Sequence, residues 1–313
     1  MLERFRAPTG LKRRGPGRLA RTEMAYGYFF IAPWIIGFVL FTLGPMLVSF
    51  GLMFTSYKGF RRINWVGLEN IRELVLHDYR LLDSLRVTAT YAFWVVALTI
   101  LIGLALALYV NQKFPGRNLF RVIYFMPAAI SGVALTFVWL ALYDKEFGMI
   151  NQFLRIFDLP RIGWLTTTQW APWAFVIMAV YGVGYTMVIM LAGLQGIPEH
   201  LYDAAKIDGA GHLSLFRHIT IPLLSPTIFF LTVIGVIGSM QVFTSGYILT
   251  QGGPARSTLF FIIYLFDVAF QQRRLGYASV LAWLFFIIIM LLTLIQFIGA
   301  RRWVYYEAEV RNE

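Results

Sequence analysis

Between two long apolar runs the chain reads YDAAKIDGAGHLSLFRHITIP, residues Tyr202 to Pro222. Its flanks read as membrane spans, which makes the stretch between them a short, ordered loop in water. The loop has a definite build. Asp203 stands beside Ala204 and Ala205, an Asp-Gly-Ala-Gly turn follows (Asp208 to Gly211), and a second apolar stretch holds Phe216, Ile219 and Pro222. Alanines let another backbone approach closely, and glycines accept the left-handed conformation of a helix end. The pattern suits a surface gripped by another protein.

The reading of the flanks rests on composition. The chain is 58% hydrophobic and 17% aromatic but only 14% charged, with a mean hydropathy of +0.67. Soluble domains run nearer to about 45–50% apolar and about 25% charged. The apolar residues are also clustered into charge-free windows, which lipid solvates and water does not. An all-helical, polytopic membrane protein is expected. A hydrocarbon core about 30 Å thick takes roughly 20 residues of helix, and six spans are predicted near residues 27–52, 86–110, 120–143, 172–194, 220–247 and 276–300. They divide the chain into a flexible basic arm (1–25), a transmembrane domain (26–302) with the loop at 196–222, and a tail (303–313).

Six spans put both termini on one side. The Lys and Arg total barely separates the two orientations, but its distribution does. Arg4, Arg6, Lys12, Arg13, Arg14, Arg18 and Arg21 crowd the first arm, and the 111–121 loop carries Lys113, Arg117 and Arg121 without an acid. Both termini and the Tyr202–Pro222 loop are therefore expected in the cytoplasm, with the chain in a bacterial or archaeal plasma (inner) membrane. The net charge of +11 belongs to span-flanking residues that hold topology and attract anionic head groups, so nucleic acid is not an expected partner. The first apolar run is too long for a secretory signal and lacks a small-residue cleavage pattern.

Enzyme chemistry finds no foothold. The chain has no phosphate-cradling GxxxxGK[ST], no GxGxxG and no HExxH, and it has no cysteine. His77, His200, His212 and His218 have no metal-ligand spacing, so neither a metal nor a bound cofactor is expected. The charge-free windows also lack the buried acids and bases of proton relays and ion-coupled carriers. The energy source is expected on another chain.

In the loop, Pro198 and Glu199 open a helix, because proline is tolerated at a first position and the acid complements the N-terminal dipole. Leu201, Ala204, Ala205 and Asp208 recur at helical spacing, with Tyr202 and Asp203 between them, and Gly209 with Gly211 ends the helix. A second short helix from His212 to Ile219 is expected to end at Pro222, where the fifth span begins. The plainer alternative is an amphipathic loop resting on head groups.

At these residues the sequence resembles the membrane-spanning permease subunits of ATP-binding-cassette importers, whose cytoplasmic loop carries a pattern close to E-A-A-x(3)-G-x(9)-I-x-L-P. Asp203-Ala204-Ala205, Gly209, Ile219 and Pro222 fall in register with it; Asp203 replaces the usual glutamate and Ile221 stands where leucine is commoner. Further stretches resemble the carbohydrate-importing branch: WVGLENIREL from Trp65, FGMINQFL from Phe147, LAGLQGIP from Leu191, LTQGGP from Leu249 and LGYASVLA from Leu275. The resemblance implies a pathway formed with a second permease subunit. It also implies two cytosolic ATPases that bind the ATP and magnesium and each receive a loop helix, and a solute-binding protein outside. Asp203 would then be the polar contact, Ala204 and Ala205 the close-packing surface, and Gly209 the turn.

A sugar path needs hydrogen-bonding and aromatic groups at membrane depth. Gln241 and Ser245, spaced for one helical face, are candidates, with Tyr181 and Tyr185 in the fourth span and Trp139 in the third. Such residues also cement helix pairs in ordinary bundles. Two alternatives are a permease for glycerol-3-phosphate or its diesters and, from another class, an ion-coupled secondary carrier.

Overall fold

The structure is a computed structural model, and it describes residues 18–59 and 63–305. It is all-helical: among the described residues the only strand-like pairing is an isolated antiparallel bridge between Thr55 and Trp65. The chain falls into two compact units, Met1–Leu52 and Met53–Glu313.

The first unit is helix α1 (Arg18–Phe38) continued through a wide π turn (Val39–Leu43) into α2 (Gly44–Leu52). Pro45 explains the wide turn. It has no N–H to donate, and its ring crowds the Phe41 carbonyl four residues back. The turn opens, and Gly44 N–H closes onto Val39 O instead. The apolar window of this helix is long enough to cross a membrane. The expected arm 1–25 is thus corrected in part. From Arg18 onward it is helix; residues 1–17 lie outside the described ones.

The second unit contains α3 (Glu69–His77), α4 (Tyr79–Asn111), α5 (Arg117–Phe125), α6 (Gly132–Leu142), α7 (Met149–Ile156), α8 (Ala171–Tyr181) and α9 (Gly184–Gln195). It continues with α10 (Glu199–Ile207), α11 (His212–Leu215), α12 (Ile221–Met240), α13 (Thr244–Leu249), α14 (Phe261–Phe266) and α15 (Leu275–Ala300). Helix α4 is the hub, packing on α8, α9, α12 and α14. Its buried stripe (Ser84, Thr88, Tyr91, Ala92, Val96, Gly103, Ala107, Val110) follows helical periodicity and uses small residues where neighbours come close. A Cβ on Gly103 would stand 2.7 Å from Thr186 Cγ2. Thr88 also accepts a hydrogen bond from Phe261 N–H (2.8 Å), giving a partner to a donor that the start of α14 leaves free.

Among the described residues four helices are long and apolar enough to cross a membrane, and six spans result if each of two bent pairs counts as one. The third and fourth predicted spans are those pairs. Residues 120–143 are not one rod: α5 passes through a 3-10 turn at Met126–Ala129 and bends by 97° into α6, with Pro127 unable to extend the α5 ladder. Residues 172–194 bend by 44° between α8 and α9. Gly182 ends α8, and Gly184 lets α9 press onto the Tyr124 carbonyl. The fifth span begins earlier than predicted, because α11 runs through a π turn (Phe216–Thr220) directly into α12. Pro222 therefore does not end a helix. As at Pro45, the turn before it widens, with Ile221 N–H reaching Phe216 O. That span is then interrupted at Gln241–Phe243 before α13.

Contacts sort the connections of the second unit to two ends. At one end Tyr305 N–H donates to Ser225 Oγ (2.9 Å), joining the end of α15 to the start of α12. There Val110, Ile197 and Leu224 share a core with Phe120, Tyr202 and Ile219 packed on it. At the other end Gly276 N–H donates to Tyr57 O (3.1 Å). Arg274 forks onto Glu73 with bonds of 2.8 and 2.5 Å, which raise the arginine pKa above its ordinary value. Asp78 caps α4 through Leu81 N–H (3.1 Å) and accepts the Tyr264 hydroxyl (2.5 Å) and the Tyr277 hydroxyl.

Candidate functional site

Helix α10 projects from the first of these ends. None of its residues is buried; Ile207 at its end is 87% exposed, and Leu213 in the next short helix is 79% exposed. Pro198 is the extended residue before the helix, and Glu199 lies in its first turn. Asp203, Ala204 and Asp208 face outward, with Ala205 half-buried beside them. Asp203 makes an exposed ion pair with Lys206 (3.1 Å), which leaves the carboxylate available to a partner.

The helix end follows the mechanism expected of glycine, but at Gly209 alone. Gly209 has φ +80, its N–H donates to Lys206 O (3.0 Å), and Ala210 N–H donates to Ala205 O (2.9 Å). This paired return is the Schellman arrangement, which satisfies carbonyls that a helix end leaves open. Gly211 is corrected: it is extended and precedes α11. The loop is anchored to the membrane helices by Tyr202, whose hydroxyl shares a hydrogen bond with Thr220 Oγ1 (3.0 Å), and by Ile219, which packs on the core of α4, α9 and α12. Pro222, half-buried, stands just beyond the π turn. Among the described residues no group of His, Cys, Asp or Glu could hold a metal.

The intramembrane candidates are placed less uniformly. Gln241 is exposed at the end of α12, and Ser245 lies beyond the break, so the two do not share one continuous helix face as the spacing predicted. The break at Gln241–Phe243 is seen only in three dimensions. Tyr181 and Tyr185 are 48% and 53% exposed on either side of the α8–α9 bend. Trp139 is buried at 7% exposure, with its ring edge-on to Tyr181 at 5.5 Å. It backs the exposed tyrosine rather than facing open space.

A polar pocket at the other end was not foreseen. It combines Arg80, Tyr247, Gln251, Arg256, Asp267 and Gln271, which come from α4, α13, the following loop and the turn after α14. The separation of these residues along the chain hid it, although each is a polar residue close to a span end.

The comparisons agree with this architecture. Residues 99–305, more than half of the chain, match the family described as "Binding-protein-dependent transport system inner membrane component". The chain is 38% identical over 296 residues to the probable ABC transporter permease protein YesP of Bacillus subtilis (strain 168), covering 93% of this chain and 96% of that one. It is 33% identical to the lactose transport system permease protein LacF of Rhizobium radiobacter, over 88% of this chain and 94% of the relative. It is 30% identical to the trehalose/maltose transport system permease protein MalF of Thermococcus litoralis, over 89% and 94%. Its fold is similar to a chain of a bacterial ABC transporter involved in the import of the acidic polysaccharide alginate, with a TM-score of 0.78 at 22% identity, over 90% of this chain and 96% of the other. With its exposed loop helix, its apolar spans and these relatives, the chain belongs to the inner membrane components of binding-protein-dependent transport systems, the permease subunits of ABC transporters.

Proposed function

We propose that this permease forms half of the pathway of an ATP-driven importer for a carbohydrate, with α10 as the element that docks a cytosolic ATPase. The observation that carries the docking role is the exposed helix, closed by Gly209 and fastened through Tyr202 and Ile219 to the membrane core. Glu199, Tyr202, Asp203, Ala204, Ala205, Asp208, Gly209, Ile219 and Pro222 are its working residues. The carbohydrate reading is supported by relatives named for lactose, trehalose/maltose, starch degradation products and arabinooligosaccharides. Gln241, Ser245, Tyr181 and Tyr185 are the proposed path residues, with Trp139 supporting Tyr181. A second permease subunit completes the pathway, two ATPase copies supply ATP and magnesium chemistry, and an extracytoplasmic binding protein delivers the solute.

In this arrangement residues 26–302 are the transmembrane domain, both termini and α10 are cytoplasmic, and the pocket at Gln251 opens outside. The basic 111–121 loop shares the end of the molecule that carries α10 and the C-terminal turn, which supports this orientation through the positive-inside rule. Reporters fused after Arg302 and within Lys113–Arg117 are expected to report cytoplasm, and one at Asp78 the outside. A C-terminal reporter that reads outside removes one of the six spans.

The function is tested by purifying the tagged chain from its native membrane. A second permease and an ATPase are expected to copurify with it, and the isolated chain is expected not to hydrolyse ATP. Vesicles holding the complex are expected to take up sugar from the loaded binding protein only with ATP inside. Uptake that follows an imposed ion gradient without ATP would sink the proposal.

A further inference from the structure

We propose that the pocket between α4, α13 and the loop after it is a subsite for a neutral sugar at the mouth of the pathway. There a ring arriving from outside is held by Tyr247, Gln251, Asp267 and Gln271 before it reaches the helix break at Gln241. The inference rests on the carbohydrate reading above and adds a place and a charge class to it.

The first support is chemical. The cavity has a volume of about 430 Å³, within the range of roughly 300–1,000 Å³ common for small-molecule sites. The side-chain amides of Gln251 and Gln271 are exposed at the pocket and make no hydrogen bond with other described residues, so their donors and acceptors are open to a ligand. Asp267 between them is held in place by Gln272 Nε2 (2.7 Å) and keeps further acceptor capacity. Tyr247 supplies an aromatic surface. Planar amide and carboxylate groups around an aromatic ring match the alternating hydroxyls and C–H face of a sugar.

Charge then narrows the class. Both arginines at the pocket are answered by carboxylates: Arg80 faces Asp267 at 3.6 Å, and Arg256 faces Asp83 at 3.4 Å while lying over the Tyr79 ring at 5.0 Å. No uncompensated cation is left to favour a uronate or a sugar phosphate over a neutral ring. An anionic solute would meet arginines whose charge is already shared with a carboxylate.

The backbone gives a second, independent support. Gln251, Ala255 and Arg256 all have positive φ (50, 44 and 64), although none is glycine. Gly252 between them has φ +92, and a Cβ there would stand 2.9 Å from Leu259 Cδ1. Such conformations persist only where the surroundings over-determine them, and they gather at ligand clamps. The surroundings here are explicit. Gln251 N–H donates to Gly246 O (2.9 Å), Thr250 and Thr258 share a hydroxyl hydrogen bond (2.7 Å), and Thr258 Oγ1 donates to Gly253 O (2.5 Å). The loop therefore presents Gln251 from a fixed position. Tyr247 stacks on Phe243 at 5.5 Å, and Phe243 belongs to the break that begins at Gln241, so an aromatic step leads from the pocket toward the proposed path.

The test uses the complete transporter in proteoliposomes, fed by its loaded binding protein, with labelled lactose, labelled maltose and labelled digalacturonate as probes. Wild type, Gln251→Ala, Gln271→Ala and the double variant are compared for uptake and for sugar-independent ATP hydrolysis. Wild type is expected to carry a neutral sugar. The double variant is expected to lose at least five-fold in uptake at low sugar, with recovery at high sugar and unchanged basal ATP hydrolysis. Both glutamines are exposed in the subunit, so its folding survives their truncation. Neutral-sugar uptake in the double variant equal to wild type overturns the subsite while leaving the carbohydrate reading intact. Preference of wild type for digalacturonate overturns the charge class, and hence the proposal. Failure of wild type to carry any of the three, while it carries a non-carbohydrate, overturns the carbohydrate reading itself and the subsite with it.

Discussion

Gly209→Val and Asp203→Lys are each expected to reduce uptake ten-fold or more while leaving the subunit in the membrane at wild-type abundance. Gly209 holds φ +80, with nothing within 4 Å of the position a Cβ would take. The substitution meets no collision. Its effect is conformational, because a left-handed residue with a Cβ costs roughly 1–2 kcal/mol, and a β-branched one is a genuine outlier. That cost unwinds the return at Lys206 and Ala205 and re-aims α10. Gly209→Asn, which tolerates the same conformation, is expected to keep most of the activity. Asp203 is exposed and pairs with Lys206, an interaction worth only about 0–1 kcal/mol to the subunit. Lysine at 203 therefore hardly touches folding, but it reverses the charge offered to the ATPase and sets two cations three residues apart. Asp203→Glu restores the commoner residue of the resembled pattern and is expected to be active. The measurement is uptake together with copurification of the ATPase. Wild-type values of both in both variants would show that α10 is not the docking element.

Gly184→Leu is expected to prevent recovery of folded subunit, and Gly184→Ala to lower its thermal stability by several degrees. A Cβ at 184 would stand 2.0 Å from Tyr124 O, 2.8 Å from Tyr124 C and 2.7 Å from Phe125 Cα. All three are backbone atoms, which cannot swing aside as the end of a side chain does. Room is made only by parting α9 from the junction between α5 and the 3-10 turn, where the 97° bend is held. Overpacking of a core costs about 1–3 kcal/mol, a large share of the roughly 5–15 kcal/mol by which folded proteins are stable. Gly299→Ala, with nothing within 4 Å of its Cβ position, is the matched control and should behave as wild type. Size-exclusion profiles and melting curves of the detergent-solubilised subunit read the difference. A Gly184→Leu protein that melts with wild type would refute the close approach.

Membrane residence, helical class and family were legible in the sequence because each depends on local quantities. Charge-free runs set the spans within a few residues for the last one, predicted at 276–300 and found as Leu275–Ala300. The helix end at Gly209 was legible for the same reason, since it depends on the residue's own φ and its neighbours' hydrogen bonds. Hydropathy, by contrast, cannot see a bend. The runs 120–143 and 172–194 are apolar throughout, and the breaks at Pro127 and Gly182 become angles of 97° and 44° only through what packs on them. The π turns ahead of Pro45 and Pro222 were likewise hidden, because a proline announces a missing hydrogen bond without saying whether the helix stops or widens. Pairings such as Arg274 with Glu73 and Tyr264 with Asp78 join residues far apart along the chain. So do the Tyr247–Gln251 pocket and the placement of Trp139 behind Tyr181. Composition and periodicity decide which surface a residue needs, lipid, water or core. Which distant residue meets it there is decided only when the helices close on one another, since close packing depends on the shapes of both partners at once.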